Sequence, residues 1–230
     1  MLTTLTGTAT AATSTAAGDP NVISEWNAIA VTTLSGDASK QPVENFLYLG
    51  FVHAAVYDAV VGVEGRYAPY RFRARARHGT SAQAAAVAAA HEVLVTYVPS
   101  ARAALDAAYA ASMAQISDGT AKVQGAAFGI RAAEHMIRLR ANDGRNDESI
   151  QFEESSAPGA WRRTPPGNLP MSAPWLGFVR PLLVRSPLQF GPPPPPALTS
   201  ARYARDFNEV ARQVPLRLVA TDHRHQPRRQ

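Results

Sequence analysis

His53, Tyr57 and Asp58 are the residues of this sequence best spaced for chemistry, because positions i and i+4 lie on one helical face and Asp58 follows directly. An imidazole, a phenol and a carboxylate can do general acid–base work. They can equally form a buried hydrogen-bonding set in which Asp58 accepts from a nearby backbone N–H or an arginine, and this structural reading is preferred. His91-Glu92 lacks the second histidine that a zinc-binding helix requires, so His91 is expected to pack or to cap. His135 beside Glu134 reads the same way. His223-x-His225 has metal-ligand spacing, but it stands among Arg, Pro and Gln with no apolar periodicity to fix it, and disorder is expected there. Neither Gly-x-Ser-x-Gly nor a Gly-rich phosphate loop occurs. With no cysteine, thiolate zinc sites, iron–sulfur clusters, cysteine nucleophiles and disulfides are excluded.

The elements that would carry these residues are helical. Val22, Ile23, Trp26, Ile29, Ala30 and Thr33 recur at spacings of three and four, predicting a helix from Asn21 that ends near Gly36. A second follows Pro42, with Phe46, Leu47, Leu49, Gly50, His53, Ala54, Tyr57 and Val61 on a wide face and Gly62 and Gly65 as its end. Thr80-x-x-Gln83 reads as a capping box for an Ala-rich helix through Val98, stopped by Pro99. Ser100 to Ile116 is a fourth helix, with Leu105, Ala108, Tyr109, Met113 and Ile116 inward. Thr120 to Ala141 is a fifth, with Val123, Ala127, Ile130, His135, Ile137 and Leu139 on its apolar side. Its Gly125-x-x-x-Gly129 marks a close helix crossing. The fold class is all-α: a helical bundle over residues 19–144, flanked by disordered termini.

Residues 145–197 differ in kind, holding 12 of the 18 prolines. Trp161, Leu169, Met171, Trp175, Leu176, Phe178, Leu182, Leu183 and Phe190 give this segment anchors, so an extended arm lying on the helices is expected. Pro192 to Pro196 reads as a stiff polyproline spacer, with a docking segment for proline-binding modules as the other reading. A short helix is predicted over residues 198–210, starting at Ser200. The first 18 residues, rich in Thr and Ala, hold too little apolar surface to order. Thr15-Ala-Ala-Gly18 resembles a signal cleavage region, but the positive start and apolar run of an intact signal are missing, and localisation stays open. No run of ~18–20 apolar residues is uninterrupted, so no membrane span is expected.

The net charge is +5, and five arginines against Asp222 place +4 of it in residues 211–230. The remaining +1 makes residues 1–210 nearly neutral, which argues against a nucleic-acid partner. Only Lys40 and Lys122 are lysines, an Arg bias that fits GC-rich codons.

Asn21-Val-Ile-Ser-Glu-Trp-Asn27, His53-Ala-Ala-Val-Tyr-Asp-Ala59, Arg138-Leu-Arg-Ala-Asn-Asp-Gly144, Pro158-Gly-Ala-Trp-Arg-Arg-Thr-Pro-Pro166 and Phe190 through Ser200 with Tyr203 and Asp206-Phe-Asn-Glu-Val210 together carry a resemblance. Over about Asp19 to Val210 the chain resembles the helical N-terminal half of the bacterial vanadium-dependent haloperoxidases, relatives of the type 2 phosphatidic acid phosphatases. The resemblance implies vanadate or phosphate held by Lys-x6-Arg-Pro, Pro-Ser-Gly-His and Ser-Arg-x5-His-x3-Asp, with cations and N–H groups neutralising the oxyanion and histidines bonding the central atom and moving protons. None of the three motifs stands in this sequence. Lys40 is followed seven residues on by Leu47 and Lys122 by Gly129, Arg180-Pro181 has Ala173 in place of the lysine, and Pro99-Ser100 continues as Ala101-Arg102.

No catalytic, cofactor-binding or metal residue is therefore assigned, and vanadate is a cofactor of the family resembled rather than of this chain. The expectation is a truncated member, inactive alone, with residues 211–230 reading like out-of-frame sequence. Its expected partner is a missing C-terminal catalytic half or a second copy. The alternative is a non-catalytic helical interaction module using exposed helix faces or the Pro-rich arm. Nucleic-acid binding through the tail is a third reading and the least favoured.

Overall fold

The structure, a computed structural model, describes residues 21–213. The expectations for residues 1–18, for His223 and His225, and for the tail past Gln213 lie outside the described residues. Six α-helices and no strand are found among the described residues: α1 (Asn21–Gly36), α2 (Pro42–Glu64), α3 (Ala82–Tyr97), α4 (Arg102–Ala114), α5 (Thr120–Leu139) and α6 (Ala201–Gln213). Short 3-10 turns at Pro99–Ala101 and Pro174–Phe178 complete them. The all-α expectation holds. The chain forms two compact units, one ending at Arg185 and one beginning at Ser186.

The first unit is organised around α3. Ala84 through Ala90 form an unbroken buried run, and α1, α2, α4 and α5 all pack on this helix. Small side chains allow that crowding because they let helix axes approach closely. Gly125 and Gly129 make the approach possible on the α5 side: a Cβ on Gly125 would lie 2.9 Å from Ala84 Cβ, and one on Gly129 would lie 2.9 Å from the Ala85 backbone. The Gly-x-x-x-Gly spacing thus marks a close crossing, as expected.

α1 runs as predicted, burying Val22, Trp26, Ala30 and Leu34 at intervals of four. α2 differs in its face. Tyr48, Phe51, Val52, Ala55, Val56 and Ala59 are buried, whereas Phe46, expected inward, is 80% exposed. Gly62 does not end α2 but lies within it, under the Phe128 ring; Gly65, at φ 76°, is its left-handed cap. By length and composition α2 is also long and apolar enough to cross a membrane, contrary to the expectation from uninterrupted runs. Packing against α1, α3 and α5 accounts for its apolarity here.

The N-cap of α3 is Ser81, whose Oγ accepts from the Ala84 N–H at 3.1 Å, not Thr80, whose hydroxyl donates to the Arg77 carbonyl instead. α4 starts two residues later than predicted because Pro99–Ala101 forms a 3-10 turn. α5 is rotated from its predicted face. Phe128, Ala132, Ala133 and Met136 are inside, while Val123 is exposed, because the two glycines dictate which side meets α3.

In the second unit Ser200 caps α6, its Oγ accepting from the Tyr203 N–H at 3.1 Å. α6 continues to Gln213, three residues into the stretch expected to be disordered. Tyr203 and Phe207 stack on one another, and Phe207 and Val210 are exposed.

Candidate functional site

The three residues of α2 that looked most chemical are separated by what they bond. His53 Nε2 lies 3.0 Å from Asn27 Oδ1, and the space beside them, about 10 Å³, has room for about one water. The Tyr57 hydroxyl donates to the Ala68 carbonyl at 2.9 Å. Asp58 is buried and accepts from three consecutive backbone N–H groups, those of Tyr70 at 2.5 Å, Arg71 at 3.0 Å and Phe72 at 2.8 Å. A carboxylate gripping a peptide segment in this way is a structural clasp, in line with the preferred reading.

His91 and His135 are equally engaged. His91 stands edge-on to Trp26, packs on Tyr109 and lies 2.7 Å from Asp106 Oδ1. His135 packs against the Phe72 ring. Among the described residues no three His, Asp or Glu side chains gather as a metal-binding group.

The segment held by Asp58 had no assignment from the sequence. Residues 69–77 run extended across the bundle, with Ala76 N–H donating to the Gly62 carbonyl at 3.0 Å and Phe72 packing on Phe128 and His135. Phe72, Ala74 and Ala76 are half-buried, whereas Arg71, Arg73, Arg75 and Arg77 are exposed. The period-two alternation was present in the sequence, hidden because the net charge was summed over 210 residues. This strap borders a cleft of about 260 Å³ lined by Arg75, Arg77, Thr80, Gln124, Phe128 and Arg131.

A second charged cluster lies where α5 ends. Arg140 and Asp143 are buried and paired at 2.7 Å, and Arg145 Nε donates to Asp143 Oδ1 at 2.9 Å. The Arg145 guanidinium covers the rings of Phe51 and Tyr97, each 4.9 Å away, and that of Tyr48. Arg140 Nη2 donates to the Arg180 carbonyl at 2.6 Å, and the Arg180 N–H to the Asp143 carbonyl at 2.8 Å, which fastens the arm to the end of α5. Burial lowers the Arg140 pKa against the pull of Asp143. At Arg145 burial acts the same way but is outweighed by Tyr97 and Asp143, so its pKa is raised; burial also raises that of Tyr97. The signal for this cluster was three charges within six residues after a helix.

The arrangement matches a solved protein of known chemistry. A bacterial vanadium-dependent iodoperoxidase superposes with a TM-score of 0.67 at 20% identity, over 91% of this chain and 53% of that one. The two share a fold. This chain therefore spans about half the length of the iodoperoxidase. No family model matches the sequence, and no curated protein sequence matches it significantly.

The two buried guanidiniums, Arg140 and Arg145, surround Asp143, and His53, His91 and His135 are engaged by Asn27, Asp106 and the Phe72 ring. Asp58 thus holds the basic strap, and Arg140 and Asp143 hold the arm, on the helices.

Proposed function

We propose that this chain supplies the helical scaffold of a haloperoxidase-like enzyme whose oxyanion chemistry is carried by residues outside it. The fold match over 91% of the chain supports this reading, beside the absence of Lys-x6-Arg-Pro, Pro-Ser-Gly-His and Ser-Arg-x5-His-x3-Asp from its sequence. On this reading the whole enzyme oxidises halide with peroxide or hydrolyses phosphate esters, and this chain positions the catalytic half. The test is purified chain incubated with orthovanadate, assayed for iodide and bromide oxidation by hydrogen peroxide and for p-nitrophenyl phosphate hydrolysis. No turnover is expected from the chain alone. Turnover should appear when a polypeptide carrying the three motifs is co-expressed and co-purifies with it. Vanadate-dependent activity in the chain alone would overturn the proposal.

A second reading, a non-catalytic interaction module, draws on the exposed Phe207 and Val210 of α6 and on Leu169, Phe178 and Leu183 of the arm. It predicts a stable complex with a partner that lacks the three motifs.

A further inference from the structure

We propose that the cleft between the strap and α5 binds a small molecule through a phosphate group, with Arg75, Arg77 and Arg131 as its cationic walls. Its basis lies outside the scaffold reading, since none of these residues belongs to the three motifs discussed above.

Residues 65–81 contain five arginines and no acid, whereas residues 19–64 contain six acids and one lysine, so opposite charges are segregated along the chain. Among the described residues, Arg66, Arg71, Arg73, Arg75, Arg77 and Arg131 make no ion pair with a carboxylate. Exposed arginines usually relieve such repulsion with nearby acids or by fanning into solvent. Here two of them are held at the cleft. Arg131 lies 5.7 Å from both the Phe72 and Phe128 ring centres, and Arg75 Nη1 donates to the Val61 carbonyl at 3.4 Å.

Arg75 and Arg77 stand two residues apart on an extended chain, placing their Cα atoms about 7 Å apart on one side. Two planar forks at that spacing suit an oxygen cluster rather than a single carboxylate. Thr80 and Gln124 add neutral polar groups to the lining, and no acid lines the cleft. The Asp58 clasp fixes the backbone of the strap at Tyr70–Phe72, just before the arginines of the cleft. No imidazole lines the cleft, so it offers reversible binding rather than covalent attachment.

The test titrates pyrophosphate into the full chain at constant ionic strength, following thermal unfolding by circular dichroism and binding by calorimetry. Saturating pyrophosphate should raise the melting midpoint by about 3 °C beyond matched sodium chloride. The Arg75→Ala/Arg131→Gln double variant should bind at least about tenfold more weakly while keeping its helicity. Arg75→Lys/Arg131→Lys, which keeps the charges and loses the forks, should fall between. Unchanged affinity in the double variant would overturn the proposal, as would binding lost only on deletion of residues 211–230. Vesicles containing phosphatidic acid distinguish a lipid headgroup from a free phosphate compound. Capture by vesicles that pyrophosphate displaces and the double variant lacks would support the site and name the headgroup as its source. Capture that pyrophosphate leaves untouched, with no pyrophosphate binding, would overturn it.

Discussion

The five-helix core and the arm that crosses it between Arg145 and Arg185 are held by different forces. In the core, side chains do the holding: Leu34, Phe51, Leu94, Leu105 and Met136 are almost wholly enclosed, and α3 is buried along most of its length. In the arm only Ala173, Trp175 and Val179 are buried, while Leu169, Phe178 and Leu183 are exposed. The arm is fixed instead mainly through its backbone, by Arg140 on the Arg180 carbonyl, by the Arg180 N–H on the Asp143 carbonyl and by Tyr70 on the Leu182 carbonyl, with the Arg180 side chain adding a bond to the Leu139 carbonyl. A chain so rich in proline cannot bond to itself in a regular ladder, so its carbonyls go to side chains of the core.

The largest expected effect comes from the core. Gly129→Ala drives a Cβ into the Ala85 backbone, which has no side chain to swing aside, and should cost about 3 kcal/mol or more in denaturant unfolding. Gly177→Ala in the arm meets nothing within 4 Å and should be neutral within about 0.5 kcal/mol. Equal losses at the two sites would break the contrast.

Next is the junction. Asp143→Ala leaves Arg140 and Arg145 buried without their carboxylate, a loss of about 3 kcal/mol. Limited proteolysis should then cut first between Asp147 and Arg185, with the five helices resistant. Cleavage starting inside α3 would show that the arm and core are one cooperative unit.

Asp58→Asn removes the charge and replaces one of the two accepting oxygens by an NH2 that faces a backbone N–H, and should cost about 2 kcal/mol. Hydrogen exchange should speed up at the Tyr70, Arg71 and Phe72 amides before it does in α2.

The smallest effect is acid sensitivity at the α1–α2 turn. The hydrogen bond from Lys40, helped by Ser39, holds Asp37 at a pKa of about 2, below its ordinary 3.8. Because the folded value is depressed, this stabilisation is complete above about pH 4 and is lost as the pH falls towards 2. After allowance for solvent screening it amounts to roughly 1 kcal/mol, and Asp37→Asn should flatten that part of the stability–pH curve.

The helices were legible in the sequence because a period of three to four survives any detail of packing. α1 begins and ends where its stripe and Gly36 place it. Faces were harder to read. Phe46 and Val123 looked like core residues by type, but the burial of Tyr48 and Phe51 and the crossing at Gly125 and Gly129 turn their helices the other way. Spacing marks His53, His91 and His135 as structural, and they are engaged with Asn27, Asp106 and the Phe72 ring. The basic strap was illegible to a charge sum because its arginines are offset by acids in α1 and α2, and only a residue-by-residue alternation reveals it. The Arg140–Asp143–Arg145 cluster needed the arm's path, since Arg140 and Asp143 each bond to the Arg180 backbone, some forty residues on.

The grip of Asp58 on three successive N–H groups has one more consequence. A carboxylate that holds the main chain is indifferent to which side chains that chain carries. The outward positions of the strap that make no bond to the bundle are thereby uncoupled from those that keep it in place: Arg71 and Arg73 should tolerate exchange for a neutral residue with the path between α2 and α3 unchanged, whereas Arg75 also bonds the Val61 carbonyl. The strap is a mounting rail, and the side chains mounted on it can change while the bundle beneath stays the same.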